Sequence, residues 1–127
     1  MATLAEQSCQ PCRGGVPPLS ADLARALTTE LAGWTIIDGH LTKPYDFIDF
    51  AESLAFVDRV GELAEYEGHH PDIYLTWGRV RIELWTHKVN GLTTNDFIMA
   101  AKIDRMLQRS IRVPPSTVDQ PGTTAHP

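Results

Sequence analysis

Between Arg79 and Leu84 polar and apolar residues alternate without a break: Val80, Ile82 and Leu84 against Arg79, Arg81 and Glu83, with Trp85 and His87 continuing the polar set. Successive side chains on a strand point to opposite faces, so this run demands a sheet with one face on a core and the other open. The core face has to be covered from elsewhere in the chain, and the remaining periodicity supplies helices for it.

A chain of 127 residues has room for one such core. With 43% hydrophobic and 21% charged residues, its composition is that of an ordinary soluble domain. A formal charge of −5 with no basic stripe excludes a phosphate-backbone partner. No apolar run approaches the roughly 18–20 residues of a membrane span. The opening MATLAEQSCQPC lacks the basic-then-apolar layout of a secretory signal, which predicts a cytoplasmic protein.

Residues 1–18 end in Gly14-Gly15-Val16-Pro17-Pro18 and read as a flexible arm without regular structure. Cys9 and Cys12 on this arm have the spacing of half a zinc site or a redox dithiol. No second Cys or His pair stands at zinc-finger spacing and no strand precedes them, so they read as a reduced pair. Ser20 is a good N-cap for a helix over residues 21–31, with Leu19, Leu23, Leu27 and Leu31 on one face and Gly33 as its stop. Residues 34–37 and 40–43 flank Asp38-Gly39 as a β-hairpin, which leaves His40 as a surface histidine.

Pro44-Tyr45-Asp46 opens the longest predicted helix, residues 47–66, with Asp46 as cap and Tyr45 and Phe50 at hydrophobic-staple spacing. Its apolar residues form two stripes, Phe47, Phe50, Ala51, Leu54 and Val57 in one and Phe56, Val60 and Leu63 in the other. Burial on two sides predicts a second subunit. Strands over residues 72–77 and 79–87 follow, turning at Gly78. Asn90-Gly91 turns the chain again, and Thr93 caps a helix reaching about residue 109, with Leu92 and Phe97 as its staple. The tail from 112 has little to bury and reads as disordered. The order α-β-β-α-β-β-α predicts an α+β two-layer domain over residues 19–111, a four-stranded antiparallel sheet with three helices on one face.

Chemistry-bearing side chains crowd into residues 65–96. His69 and His70 precede Pro71, which pushes His70 toward extended backbone and splays the two rings apart. His87 on the neighbouring strand could converge on the same cavity. Imidazole exchanges protons near neutral pH, so three of them suit paired general acid and general base roles. Three neutral histidines could also bind zinc, although adjacent histidines rarely ligate one ion. Asp96 stands where it completes a capping box with Thr93, a role compatible with one in the site. Glu65 in the last turn of its helix opposes the helix dipole, as a working or a merely solvated carboxylate would. Trp77 reads as core or cavity wall.

Taken together, Glu65-x-x-x-His69-His70-Pro71, Trp77, Thr86-His87, Gly91-Leu92-Thr93 and Asp96 resemble the pterin-4a-carbinolamine dehydratase family over roughly residues 19–110. Gly33-Trp34 fits the family's first strand, and the Cys-x-x-Cys arm is similar to one in its bacterial members. The resemblance implies loss of water from 4a-hydroxytetrahydropterin to give quinonoid dihydropterin, which recycles the pterin of aromatic amino acid hydroxylases. Neither oxidation state nor carbon skeleton changes in that step, so the expected cofactor and metal are none, and the pterin is the substrate. By resemblance His69 and His87 form the acid/base pair and His70 positions the pterin. Glu65, Pro71, Trp77, Thr86, Lys88, Val89 and Asp96 are the implied substrate-binding residues. A homodimer or homotetramer is implied as well.

Trp85, bulky and beside Thr86-His87, departs from the family pattern; it either lines the pocket or covers sheet at a subunit contact. The same fold serves a transcription-factor dimerisation partner and a Rubisco assembly factor, so a non-catalytic protein-binding module is the competing reading. A pure scaffold has no physical need for three histidines at these spacings, which favours the enzyme. The residues that protonate a pterin do not report its side chain, and a different pterin is a further alternative.

Overall fold

The alternating run from Arg79 becomes a strand whose apolar side chains, Val80, Ile82 and Leu84, are wholly buried while Arg79 and Arg81 stay exposed. The computed structural model describes residues 3–10 and 17–111. Its elements are α1 (Ala21–Thr28), β1 (Thr35–Ile37), β2 (His40–Asp46), α2 (Phe50–Glu67), β3 (Asp72–Leu75), β4 (Arg79–Leu84) and α3 (Thr94–Ile111), with short 3-10 turns at Leu4–Glu6 and His87–Val89. The strands form one antiparallel sheet in the order β1-β2-β4-β3. Leu41 pairs with Leu84, Tyr45 with Val80 and Ile73 with Ile82, placing them on one face. Phe56 and Val60 of α2 and Phe97 and Ile103 of α3 close that face, each fully buried. Side chains of this size each contribute about 1.5–3 kcal/mol on burial. The expected α+β architecture of four antiparallel strands and three helices is the one observed.

The β1–β2 hairpin turns at Asp38-Gly39, both at positive φ (51° and 80°), the backbone that a tight two-residue turn requires. One side-chain knot ties this hairpin to α3. Asp104 accepts from Trp34 Nε1 (2.8 Å), Lys43 Nζ (2.9 Å) and the Tyr45 hydroxyl (2.6 Å). Burial, reinforced by the Asp104 charge, raises the Tyr45 phenol above its usual range.

Several boundaries differ from the pattern reading. Pro44 and Asp46 do not open a helix: β2 runs through them, opposite Arg81 and Arg79. Proline is tolerated there because β1 pairs only as far as Thr42, which leaves the outer side of β2 unpaired beyond it. Asp46 bonds Arg79 Nε (2.7 Å), and α2 is capped instead by Asp49, whose carboxylate accepts from Glu52 N–H (2.9 Å). Of the two stripes on α2, Phe56 and Val60 enter the core, whereas Phe50, Ala51 and Leu54 remain exposed. Helix α1 ends at Thr28 and buries Ala24 rather than Leu23, which is 48% exposed. Strand β3 ends at Leu75, and β4 ends at Leu84, before His87.

The described part of the arm is not structureless. Leu4 is buried in the core, Lys102 Nζ donates to the Ala5 carbonyl (3.0 Å) and Cys9 N–H donates to Glu67 Oε1 (2.9 Å). Gln10 and Asn95 exchange two bonds, Gln10 N–H to Asn95 Oδ1 (2.9 Å) and Asn95 Nδ2 to the Gln10 carbonyl (2.7 Å). These contacts satisfy backbone groups that local sequence leaves open. Cys12 and the tail from 112, expected to be disordered, lie outside the described residues.

Candidate active site

Helix α2 ends at Gly68, whose φ of 69° is the left-handed conformation that glycine adopts without cost. Its N–H and that of His69 both donate to the Ala64 carbonyl (2.9 and 3.2 Å), turning the chain sharply toward β3. His69 points inward and is buried, while His70 stays exposed, as the splay enforced by Pro71 requires. At the far end of the β4 chain the Thr86–Gly91 bridge closes the turn His87–Val89 and presents His87. Gly91 fits this turn because Pro18 packs on it; a Cβ there would lie 2.6 Å from the proline ring.

These two chain segments meet around a cleft of about 410 Å³ lined by Gly68, His69, His70, Trp85, Thr86, His87 and Lys88. All three histidines singled out in the sequence therefore face one cavity. Behind them Asp96, in the first turn of α3, is fully buried. Its Oδ1 meets His69 Nε2 at 2.6 Å, while its Oδ2 accepts from Thr86 Oγ1 and from Thr93 N–H, each at 2.9 Å. A threonine hydroxyl has one proton, so Thr86 gives its own to Asp96 and accepts from Thr93 Oγ1 at 2.8 Å. Asp96 thus completes half of a capping box and holds a site histidine at once. The contact engages His69 through Nε2 and leaves Nδ1 outside it.

Glu65 repeats the contact on the surface, with Oε2 at 2.5 Å from His70 Nε2. Glu65 and Pro71 line an adjoining groove of about 600 Å³ shared with His70, not the cleft itself. Val89 contributes its N–H to the Thr86 carbonyl (3.3 Å) and closes the turn without lining the cleft. Trp77 is not brought in. It is 54% exposed in the β3–β4 turn, at the opposite end of β4 from His87. Six residues of strand separate the two, roughly 20 Å at 3.3–3.4 Å per residue. Among the described residues, no three His, Cys, Asp or Glu side chains are grouped to hold a metal ion.

His40, expected to be a surface histidine, is instead half-buried at the edge of the site. Its ring stacks with Trp85 (4.7 Å between centroids, 9° between planes), and Trp85 stacks in turn with His87 (3.9 Å, 22°). Direct pairing of β2 with β4 places residue 40 beside residue 85, a signal that register supplies and spacing along the chain does not.

The model of pterin 4 alpha carbinolamine dehydratase matches residues 17–106. The chain belongs to this family. A protein of Rubrobacter xylanophilus provisionally named a pterin-4-alpha-carbinolamine dehydratase is 51% identical over 107 residues, 84% of this chain and 100% of that one. One of Methylococcus capsulatus with the same provisional name is 48% identical over 106 residues, 82% and 93% of the two chains. A crystal structure described as a transcriptional coactivator/pterin dehydratase from Brucella melitensis matches with a TM-score of 0.67 at 30% identity, over 70% of this chain and 97% of that one. Of the residues that carry the resemblance in the sequence, His69, His70, Thr86 and His87 line the cleft and Asp96 supports it from behind. Within this member of the family, Trp77 lies outside the cleft that the chain builds for itself.

Proposed function

We propose that the protein dehydrates 4a-hydroxytetrahydropterin to quinonoid dihydropterin by histidine acid–base catalysis. The convergence of three imidazoles from two chain segments on one cleft carries this reading. In the reaction the carbon–oxygen bond to the 4a-hydroxyl breaks as that oxygen takes a proton, and water leaves. A ring nitrogen gives up its proton, and its electron pair forms the new carbon–nitrogen double bond. One imidazolium and one neutral imidazole serve both transfers, and exchange with solvent resets them. His69 and His87, both lining the cleft, take these roles. His70, held by Glu65, positions the ring, and Lys88 brings a cation to the rim. No redox cofactor has a part in the balance of this step.

Turnover of 4a-hydroxytetrahydropterin by the purified protein tests the reading. His69→Ala and His87→Ala should each lower the rate by about 10²–10⁴-fold, the usual worth of a positioned acid or base. Undiminished turnover in either variant would remove that histidine from the mechanism. The same sample should run as a dimer or tetramer, since Ile48, Phe50 and Leu54 are exposed at the start of α2, which is bonded to the β3–β4 turn that carries the exposed Trp77; a monomeric mass would remove that part.

A second reading, a protein-binding module, draws on the same apolar surface and on the coactivator description of the Brucella protein. Binding that survives loss of the histidines, in a protein without turnover, would favour it.

A further inference from the structure

Each site histidine is held by a different device. His69 has a buried carboxylate and His70 an exposed one. The His87 imidazole has, among the described residues, no hydrogen bond or ion pair; its ring contact is the indole of Trp85 at 3.9 Å. That indole is itself fixed. Its N–H donates to Asp72 Oδ2 (3.2 Å), and it stacks with His40, whose Nδ1 lies 3.0 Å from Glu83 Oε1. Glu83 is anchored in turn by Arg81 Nε at 2.9 Å.

We infer that Trp85 is the positioning residue for His87, setting the plane of its imidazole while leaving both ring nitrogens able to exchange protons. The chemistry of the contact separates it from the other two. A carboxylate fixes a tautomer by committing one nitrogen, whereas an aromatic face restrains the ring through stacking and commits neither. Trp85 also lines the cleft beside His87, so its indole shapes the space that a substrate would enter. The catalytic side of this inference rests on the dehydratase reading; the structural side does not.

The test compares Trp85→Leu with Trp85→Phe, reading histidine ring signals by NMR alongside steady-state kinetics. Stacking at this distance predicts a ring-current upfield shift of the His87 protons that Trp85→Leu abolishes and Trp85→Phe largely keeps. The leucine variant should lose about 10- to 100-fold in kcat, the order that misplacing a reacting group by about 1 Å costs. The phenylalanine variant should recover most of it. His87 signals unchanged by leucine, or a rise in KM with kcat intact, would overturn the assignment and leave Trp85 a wall of the cleft. An inert wild-type protein would instead sink the dehydratase reading, and the NMR comparison would still decide whether Trp85 holds His87.

Discussion

His69 and His70 are neighbours in the chain and make the same contact, Nε2 to a carboxylate at 2.6 and 2.5 Å. Their surroundings differ completely. The side chains of His69 and Asp96 are 8% and 0% exposed, those of His70 and Glu65 60% and 78%. Burial makes the first pair costly to assemble and more costly to break, because a partner left behind has no water to turn to. Exposure lets solvent and salt replace most of the second. Geometry alone would rate the two contacts alike. Dielectric and the count of remaining donors separate them, and they make His69 part of the fold while His70 remains an appendage of it.

Asp96→Ala should break the comparison most visibly. It strands His69, the Thr86 hydroxyl and the Thr93 N–H together, so unfolding by urea should show a loss of about 3–5 kcal/mol, as for other buried pairs deprived of one partner. Turnover should fall with it, since the ring of His69 loses its orientation. A loss below about 1 kcal/mol would mean that water enters behind His69, and the two pairs would then be alike after all.

The docked arm adds a smaller effect on the buried side. Cys9 and Gln10 bond Glu67 and Asn95, which stand two residues before His69 and one before Asp96. Burial, with the Glu67 charge second, pushes the Cys9 thiol up from 9.0 to about 12. The folded state therefore keeps its proton where the unfolded chain would release it. The stabilisation is complete below pH 9.0 and drains away as pH rises toward about 12. Denaturation midpoints of the wild type and Cys9→Ala should accordingly converge above pH 9.0, and parallel curves up to pH 11 would undock the thiol.

What could be read in advance follows the same division. The alternation at Val80, Ile82 and Leu84, the Asp38-Gly39 turn and the Thr93 helix start are local signals, and each was legible because adjacent residues decide it. The three histidines stood out by density alone. Docking of Leu4 and Cys9 was not legible, since their partners lie on α2 and α3, far along the chain. Pro44 inside β2 defeats a local rule, because only the shortness of β1 makes room for it. Trp77 shares the chain spacing of the site but not its end of the strand, and spacing carries no direction. Ala24 displaces Leu23 from the core because four leucines at helical spacing specify a stripe but not the rotation of a helix that ends early.

Glu65→Gln sharpens the comparison with the smallest expected change. The amide retains an oxygen within reach of His70 Nε2, while the charge is lost. An exposed pair of this kind contributes about 0.2–1 kcal/mol, so the urea midpoint should hardly move. Any effect on turnover should be modest and should shrink with added salt, because both partners are solvent-exposed and ions weaken such pairs. If the variant instead loses stability on the scale of Asp96→Ala, His70 and Glu65 are covered in the working protein. The surface that does the covering would then belong to a second subunit or to the bound pterin, and measuring the loss with and without pterin would say which.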